Sequence, residues 1–300
     1  MNNFTFSFKF FTWHRLISIT LTLLLVSVSS CAIAKSFFWK VQSPTATVYL
    51  LGSIHVAKPD FYPLDDTIEH AFEHASYLVV ELDQHKLDQD GMRRLILKKG
   101  MYEQPDSIES HISETTLNKL KDYLAKYDMP LQGYNRLKPG FLAMTLSIAH
   151  TIRKGYLPEY GIDMYFLNKV KNQKVLQLET YEEQLNLFFD VPNEEAFLAD
   201  TLTQFKDFDT DMNNLVSAWK TGNSDEMAQY ILDKPLKEYP QMKDFYRKIF
   251  TDRNLKMTEK IVDYLSHKDT YFVVVGAGHL VGKQGIVNLL KENGFKLTQF

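Results

Sequence analysis

Four ionisable side chains stand at the same kind of place in this chain. His55 closes Leu51-Gly52-Ser53-Ile54-His55, Glu81 opens Glu81-Leu82-Asp83, Glu179 lies within Leu178-Glu179-Thr180, and His279 ends Val275-Gly276-Ala277-Gly278-His279. Each comes directly after a short apolar run. Two imidazoles with one or two carboxylates are a suitable donor set for a divalent ion such as Zn, Mn, Co or Fe(II), and a site left with an open position binds and acidifies water. The glycine three residues before each histidine permits a sharp turn or a close backbone approach to a ligand. Gly-x-x-His alone is a weak signal, and two copies, each just after an apolar run, say more. Taken singly, each histidine also reads as a satisfied imidazole at a strand end, and each glutamate as a helix cap. The set of four is what points to a site.

Three further features bear on that site. On a helical wheel Arg253 falls among Met242, Phe245, Tyr246, Ile249 and Met257, so its guanidinium needs a partner, which a carboxylate cluster or a developing oxyanion would provide. Lys256 falls in the same arc and can snorkel. Tyr160-Gly161-Ile162-Asp163 opens a helix, where Asp163 either complements the helix dipole or contacts a substrate or a site residue, with Tyr160 beside it. His70-Ala71-Phe72-Glu73-His74 spells an H-x-x-E-H zinc motif. Here Ala71, Phe72 and Ala75 make the apolar side of the wheel while His70 and His74 point away from it, so a solvated face is the better reading.

The elements that must hold these groups are legible in outline. Runs 47–54, 77–81 and 271–275, with a weaker one at 174–178, are short and continuously apolar, as strands buried on both faces are. Helical patterns occupy 66–76, 113–127, 139–153, 161–172, 194–205, 224–232, 240–265 and 284–293. Ser113 and Ser224 are candidate N-caps, and Gly294 a C-terminal cap. The segment 141–149 is apolar nearly all round but too short for a membrane span, and reads as a core helix. Alternation of the two element types predicts an α/β fold with a mainly parallel central sheet and helices on both faces. Residues 85–155 and 190–265 read as helical insertions. In open α/β sheets ligands bind beyond the carboxyl ends of the strands, where all four ionisable groups fall.

The composition is that of a packed globular protein, with 45% hydrophobic and 24% charged residues, which excludes disorder, collagen and coiled coil. With 34 Lys and Arg against 37 Asp and Glu, and no long single-sign block, there is no electrostatic case for nucleic acid. Residues 1–34 read as a secretory signal: Lys9 and Arg15 precede an apolar run at 16–28, and small residues follow. Two processing sites fit. Val28-Ser29-Ser30-Cys31 has the pattern before a lipidated cysteine, and Ala32-Ile33-Ala34 is an ordinary A-x-A site. Either way residues 35–300, read as one domain, contain no cysteine, so neither a disulfide nor a thiolate contributes. A membrane contact is expected only through a lipid on Cys31.

In their order, Gly52-Ser53-Ile54-His55, Val80-Glu81-Leu82-Asp83, Glu159-Tyr160-Gly161-Ile162-Asp163, Leu178-Glu179, Arg253-Asn254 and Val275-Gly276-Ala277-Gly278-His279-Leu280 make the chain resemble the TraB/PrgY/GumN family over nearly all of 45–295. That family is similar to the Tiki metalloproteases and, more distantly, to erythromycin-esterase-like and ChaN-like α/β folds. The resemblance implies a manganese- or cobalt-dependent hydrolase acting on a peptide or amide, in a bacterial periplasm or envelope; zinc is the further metal that the donor set admits. His55, Glu81 and His279 would hold the metal, Glu179 would be general base or fourth donor, Arg253 would stabilise the oxyanion, and Tyr160 and Asp163 would meet substrate. Two other functions stay open. One is a non-catalytic peptide-sequestering protein, as the pheromone-shutdown members are thought to be, and the other an esterase-like hydrolase that uses a histidine base without metal.

Overall fold

The computed structural model describes residues 36–300; the expected signal over 1–34, with Cys31, lies outside them. The fold is α/β. A mixed six-stranded sheet has the order β4-β3-β5-β2-β1-β6, formed by β1 (Phe38–Gln42), β2 (Thr47–Ser53), β3 (Tyr77–Val80), β4 (Lys174–Gln177), β5 (Thr270–Gly276) and β6 (Leu297–Gln299). β2, β5, β3 and β4 pair parallel in that sequence, whereas β1 runs antiparallel to both β2 and β6. The four parallel strands occupy the apolar runs read from sequence. β1 and β6 are additions: they extend the sheet beyond β2 and make it mixed.

Successive strand residues point to opposite faces, and Leu50, Leu51 and every residue from Phe272 to Val275 are buried. Both faces of the central strands are therefore covered. The cover comes from α1 (Asp66–Glu73), α5 (Ile162–Lys169), α8 (Phe208–Lys220), α12 (Asp252–Leu265) and α14 (Ile286–Glu292), whose Phe72, Phe166, Trp219, Ile261 and Leu290 join the sheet in one core. Each such side chain contributes about 1.5–3 kcal/mol by leaving water. Trp219 also donates its Nε1–H to the Gly52 carbonyl at 2.6 Å, tying α8 to the end of β2. At Gly52 a side chain would run into the Phe37 ring, so close packing requires the glycine.

The first insertion holds α2 (Gln89–Leu95), α3 (Glu114–Lys126) and α4 (Pro139–Arg153); α6 (Tyr181–Phe189) and α7 (Glu194–Gln204) follow β4. Leu120, Leu124, Leu142, Leu146 and Leu198 form a second core among α3, α4 and α7. Ser113 caps α3 as its sequence suggests, whereas the next expected cap, Ser224, is displaced by Asn223. α4 buries Phe141, Leu142, Ala143 and Leu146 but leaves Ile148 and Ile152 exposed, so it is a core helix on one side only. The expected helix over 240–265 is interrupted. A short α11 (Lys243–Tyr246) leads into a π-turn at Arg247–Thr251, which re-phases the chain before α12. Asn254, Met257, Thr258, Ile261 and Leu265 then form its buried face. Among the described residues no helix is long and apolar enough to cross a membrane.

Candidate functional site

The strand ends converge. β3 lies beside β5 and β5 beside β2, so His55, Glu81 and the turn Gly276–His279 come to the same edge of the sheet. The Nε2 atoms of His55 and His279 lie 3.7 and 3.8 Å from one and the same atom, Glu81 Oε1. That oxygen accepts the Gly276 N–H at 2.6 Å. A Cβ on Gly276 would stand 2.8 Å from His55 Nε2 and 3.2 Å from Glu81 Oε1, so this glycine keeps open the space between them.

Both imidazoles are held from behind. His55 Nδ1 lies 2.8 Å from Asp163 Oδ1, which also accepts the Ser53 hydroxyl, and Gln84 donates to the other Asp163 oxygen at 3.4 Å. His279 Nδ1 lies 2.6 Å from Asn254 Oδ1, while Asn254 Nδ2 donates to the Gln284 carbonyl at 2.7 Å, which fixes the amide's orientation. Since carboxylate and amide oxygens only accept, both Nδ1 atoms carry hydrogen. In the neutral imidazole Nε2 then bears the lone pair, turned toward Glu81.

Behind Glu81 stands Arg253. Its Nε and Nη2 grip Glu179 at 2.7 and 2.6 Å, Nη2 also reaches Glu81 Oε2 at 2.7 Å, and Nη1 donates to the Ile249 carbonyl at 3.1 Å. Gln184 donates to Glu81 Oε2 at 3.3 Å and to Glu179 Oε2 at 3.1 Å. The largely buried guanidinium thus has carboxylate partners, although the π-turn at Arg247–Thr251, not the continuous helix of the wheel, sets its direction. Glu179 and Arg253 do not line the pocket over the site, a cavity of about 200 Å³ bounded by His55, Glu81, Gln84, Leu87, Asp163 and Gln184 among others. Tyr160, expected to meet substrate, does not line this pocket; its carbonyl accepts the Tyr62 hydroxyl at 2.7 Å.

The charges are strongly shifted. Burial would lower the His55 pKa, but the Asp163 carboxylate, its hydrogen bond and Glu81 overcome this and raise it to about 9. For His279 burial prevails: with Arg253 and His55 opposing a further cation, its pKa falls to about 3 and the ring is neutral. Burial would raise Glu81, yet the two imidazoles, Arg253 and the Gly276 N–H hold it at about 2. Asp163 is likewise lowered, against its burial, by His55 and Ser53.

Among the described residues no group of three His, Cys, Asp or Glu side chains is arranged to hold a metal as it stands. The donor chemistry nevertheless suits one. Ligand atoms ~2.1 Å from a tetrahedral ion lie ~3.4 Å apart. The two N···O separations exceed that by a few tenths of an ångström. The His279 Nε2 lone pair faces the Glu81 oxygen, and His55 Nε2 would offer a second on giving up the proton that Asp163 and Glu81 favour there; the backs of all three groups are already hydrogen-bonded, as ligands' outer partners are. His70 and His74 lie apart from this, both exposed, with the His74 ring bonded to the His70 carbonyl.

Sequence reasoning missed Asn254, Ser53, Gln84 and Gln184. Asn254 carried a readable signal, a polar residue heading the i, i+3, i+4, i+7 face of α12. The other three had none, being polar residues at the end of a strand, in a short turn and on a helix.

The sequence profile of the TraB/PrgY/gumN family matches residues 37–299. YbaP of Escherichia coli (strain K12) is 25% identical, over 81% of this chain and 87% of its own length. A metalloprotease TIKI homolog of Amphimedon queenslandica is 21% identical over 90% of this chain and 62% of its own, and an uncharacterized protein of Treponema pallidum (strain Nichols) is 22% identical over 85% and 80%. No solved structure matches. The extent of the family match, end to end across the described fold and its strand-end cluster, makes the chain a member of the TraB/PrgY/gumN family.

Proposed function

We propose that this protein is an exported metal-dependent hydrolase that cleaves a peptide or amide bond at the strand-end cluster. The observation that carries the proposal is the approach of His55 Nε2 and His279 Nε2 to the single oxygen Glu81 Oε1, at 3.7 and 3.8 Å, beside an open pocket. The similarity to a metalloprotease TIKI homolog supports it. His55, Glu81 and His279 would hold a divalent ion, Mn, Co or Zn, which when bound polarises a carbonyl and lowers the pKa of water.

The chain's own residues then have distinct tasks. Asp163 and Asn254 orient the two imidazoles, and the Arg253 clamp turns Glu81 so that Oε1 faces them. His55, with half its side chain exposed, is the member that meets solvent and substrate, whereas His279 is buried. Arg253 has committed four of its five N–H groups, so an oxyanion role rests on the one left at Nη1. Likewise Glu179, gripped by Arg253, acts as base or fourth donor only after releasing an oxygen. The pocket admits one or two side chains of a substrate, with Gln84 and Gln184 offering amide groups to a peptide backbone. Export rests on the signal over 1–34, with Cys31 as an anchor if lipidated.

The test is metal content, measured by mass spectrometry on protein purified without chelator or histidine tag, alongside His55→Ala/His279→Ala. The proposal expects about one first-row metal per parent chain and none in the folded variant, with peptide hydrolysis lost in parallel. A metal-free parent that stays so after incubation with Mn, Co or Zn overturns it.

A further inference from the structure

The helical insertion holds a second cavity, of about 380 Å³, which shares no lining residue with the pocket at the strand ends. That volume lies in the range of small-molecule sites. Its apolar wall is aromatic: Tyr123 on α3, Tyr127 capping its C-terminus and Phe205 just after α7, joined by His150 of α4. The His150 ring stacks on Phe205 with centroids 4.3 Å apart and planes 4° from parallel, and the Tyr123 ring lies 4.8 Å from Phe205. Tyr127 and Phe205, the partly exposed members of this wall, offer the faces on which a planar ligand stacks.

The rim is cationic. Lys119, Lys126 and Lys206 line the cavity against a single carboxylate, Asp122. Lys119 is steadied by a 3.3 Å hydrogen bond to Thr203, and the Lys126 ammonium lies 5.4 Å from the centre of the Tyr127 ring.

His150 supplies an independent observation. It is only 2% exposed, its Nδ1 lies 3.1 Å from the Tyr123 hydroxyl, and its Nε2 is buried without a partner. When Tyr123 donates to Nδ1, the imidazole proton sits on Nε2 and lacks an acceptor, a cost that native structures rarely leave unrelieved. Nothing in the strand-end chemistry uses this group.

We infer that this cavity between α3, α4 and α7 is a binding site for a small planar carboxylate, its ring against Tyr123, Tyr127 and Phe205, its charge among the lysines, and an acceptor atom near His150. The site stands apart from the hydrolase reading and survives its failure.

The experiment titrates the full chain with 1-naphthoate and with uncharged 1-naphthalenemethanol by calorimetry, following the His150 ring nitrogens by NMR. One saturable naphthoate site per chain is expected, about tenfold or more tighter than the neutral probe, with a shift of the His150 Nε2 signal. Lys126→Glu/Lys206→Glu, both exposed and checked for folding by a melting curve, should weaken naphthoate by about tenfold or more and leave the neutral probe nearly unchanged. Absence of saturable binding, equal affinity for the two probes, or an unaltered naphthoate affinity in the lysine variant would overturn the inference.

Discussion

Asn254 Oδ1 stands 2.6 Å from His279 Nδ1, and through this bond α12 sets the direction in which a buried imidazole just beyond the end of β5 presents its other nitrogen. Asn254 is itself 2% exposed and anchored on the Gln284 carbonyl. It thus behaves as a fixed part of the fold. Outer hydrogen-bond partners of this kind typically change metal affinity by about 10–100-fold. Asn254→Ala should therefore lower the affinity for Mn, Co or Zn by that factor, whereas Asn254→Asp, which keeps the accepting oxygen, should retain more of it. Metal titration of the folded variants checks this, and equal affinity in parent and Asn254→Ala would remove Asn254 from the site.

Gly276 makes a sharper demand. Its absent side chain would lie 2.8 Å from His55 Nε2 and 3.2 Å from Glu81 Oε1, inside the space where the three groups face one another. Gly276→Ala should abolish metal binding while shifting the thermal midpoint by only a few degrees, the ordinary consequence of a change worth about 1 kcal/mol. Metal content and a melting curve on one preparation read both effects.

Arg253 neutralises two buried carboxylates at once, bonding Glu81 and Glu179 at 2.6–2.7 Å. Removing one partner of a buried ion cluster leaves uncompensated charge and costs about 3–5 kcal/mol. Arg253→Met should lose stability on that scale in urea unfolding, and Arg253→Met/Glu179→Gln should recover part of it. Were the double variant as unstable as the sum of its single changes, Arg253 and Glu179 would be energetically independent.

His150 makes stability depend on pH far from the strand ends. Burial holds its pKa below the ordinary value, and Lys154 adds to the effect. The unfolded chain then binds the proton more readily than the native state. Stability from this group is complete above about pH 6.5 and is lost as pH falls below it, by up to about 1.4 kcal/mol per pH unit. His150→Phe should flatten the difference in unfolding free energy between pH 7 and 5 relative to the parent, since all other groups titrate alike in the two proteins. An unchanged slope would show that His150 titrates equally in both states.

β2, β3 and β5 were legible because strands buried on both faces have no polar alternation, and runs such as Tyr271 to Val275 advertise this without reference to any partner, whereas β4, at the sheet margin and not buried, gave only a weaker run. The residues that end those strands, His55, Glu81, Glu179 and His279, could be named for the same reason: a strand's carboxyl end is a local property. β1 and β6 escaped notice because a short strand at the sheet margin owes its existence to pairing with β2 or β1, not to its own pattern. Local sequence also could not say which groups would face one another. That β3 lies next to β5, and β5 next to β2, brings Glu81 between histidines separated by 224 positions, since strand order is set by how the whole sheet is covered. The π-turn before α12 likewise decides that Arg253 meets the carboxylates while Asn254 meets His279. The sequence by itself determined an α/β chain with ionisable groups at its strand ends. Only the tertiary structure decided their partners, because hydrogen bonds between residues far apart in the chain depend on packing that no single segment encodes.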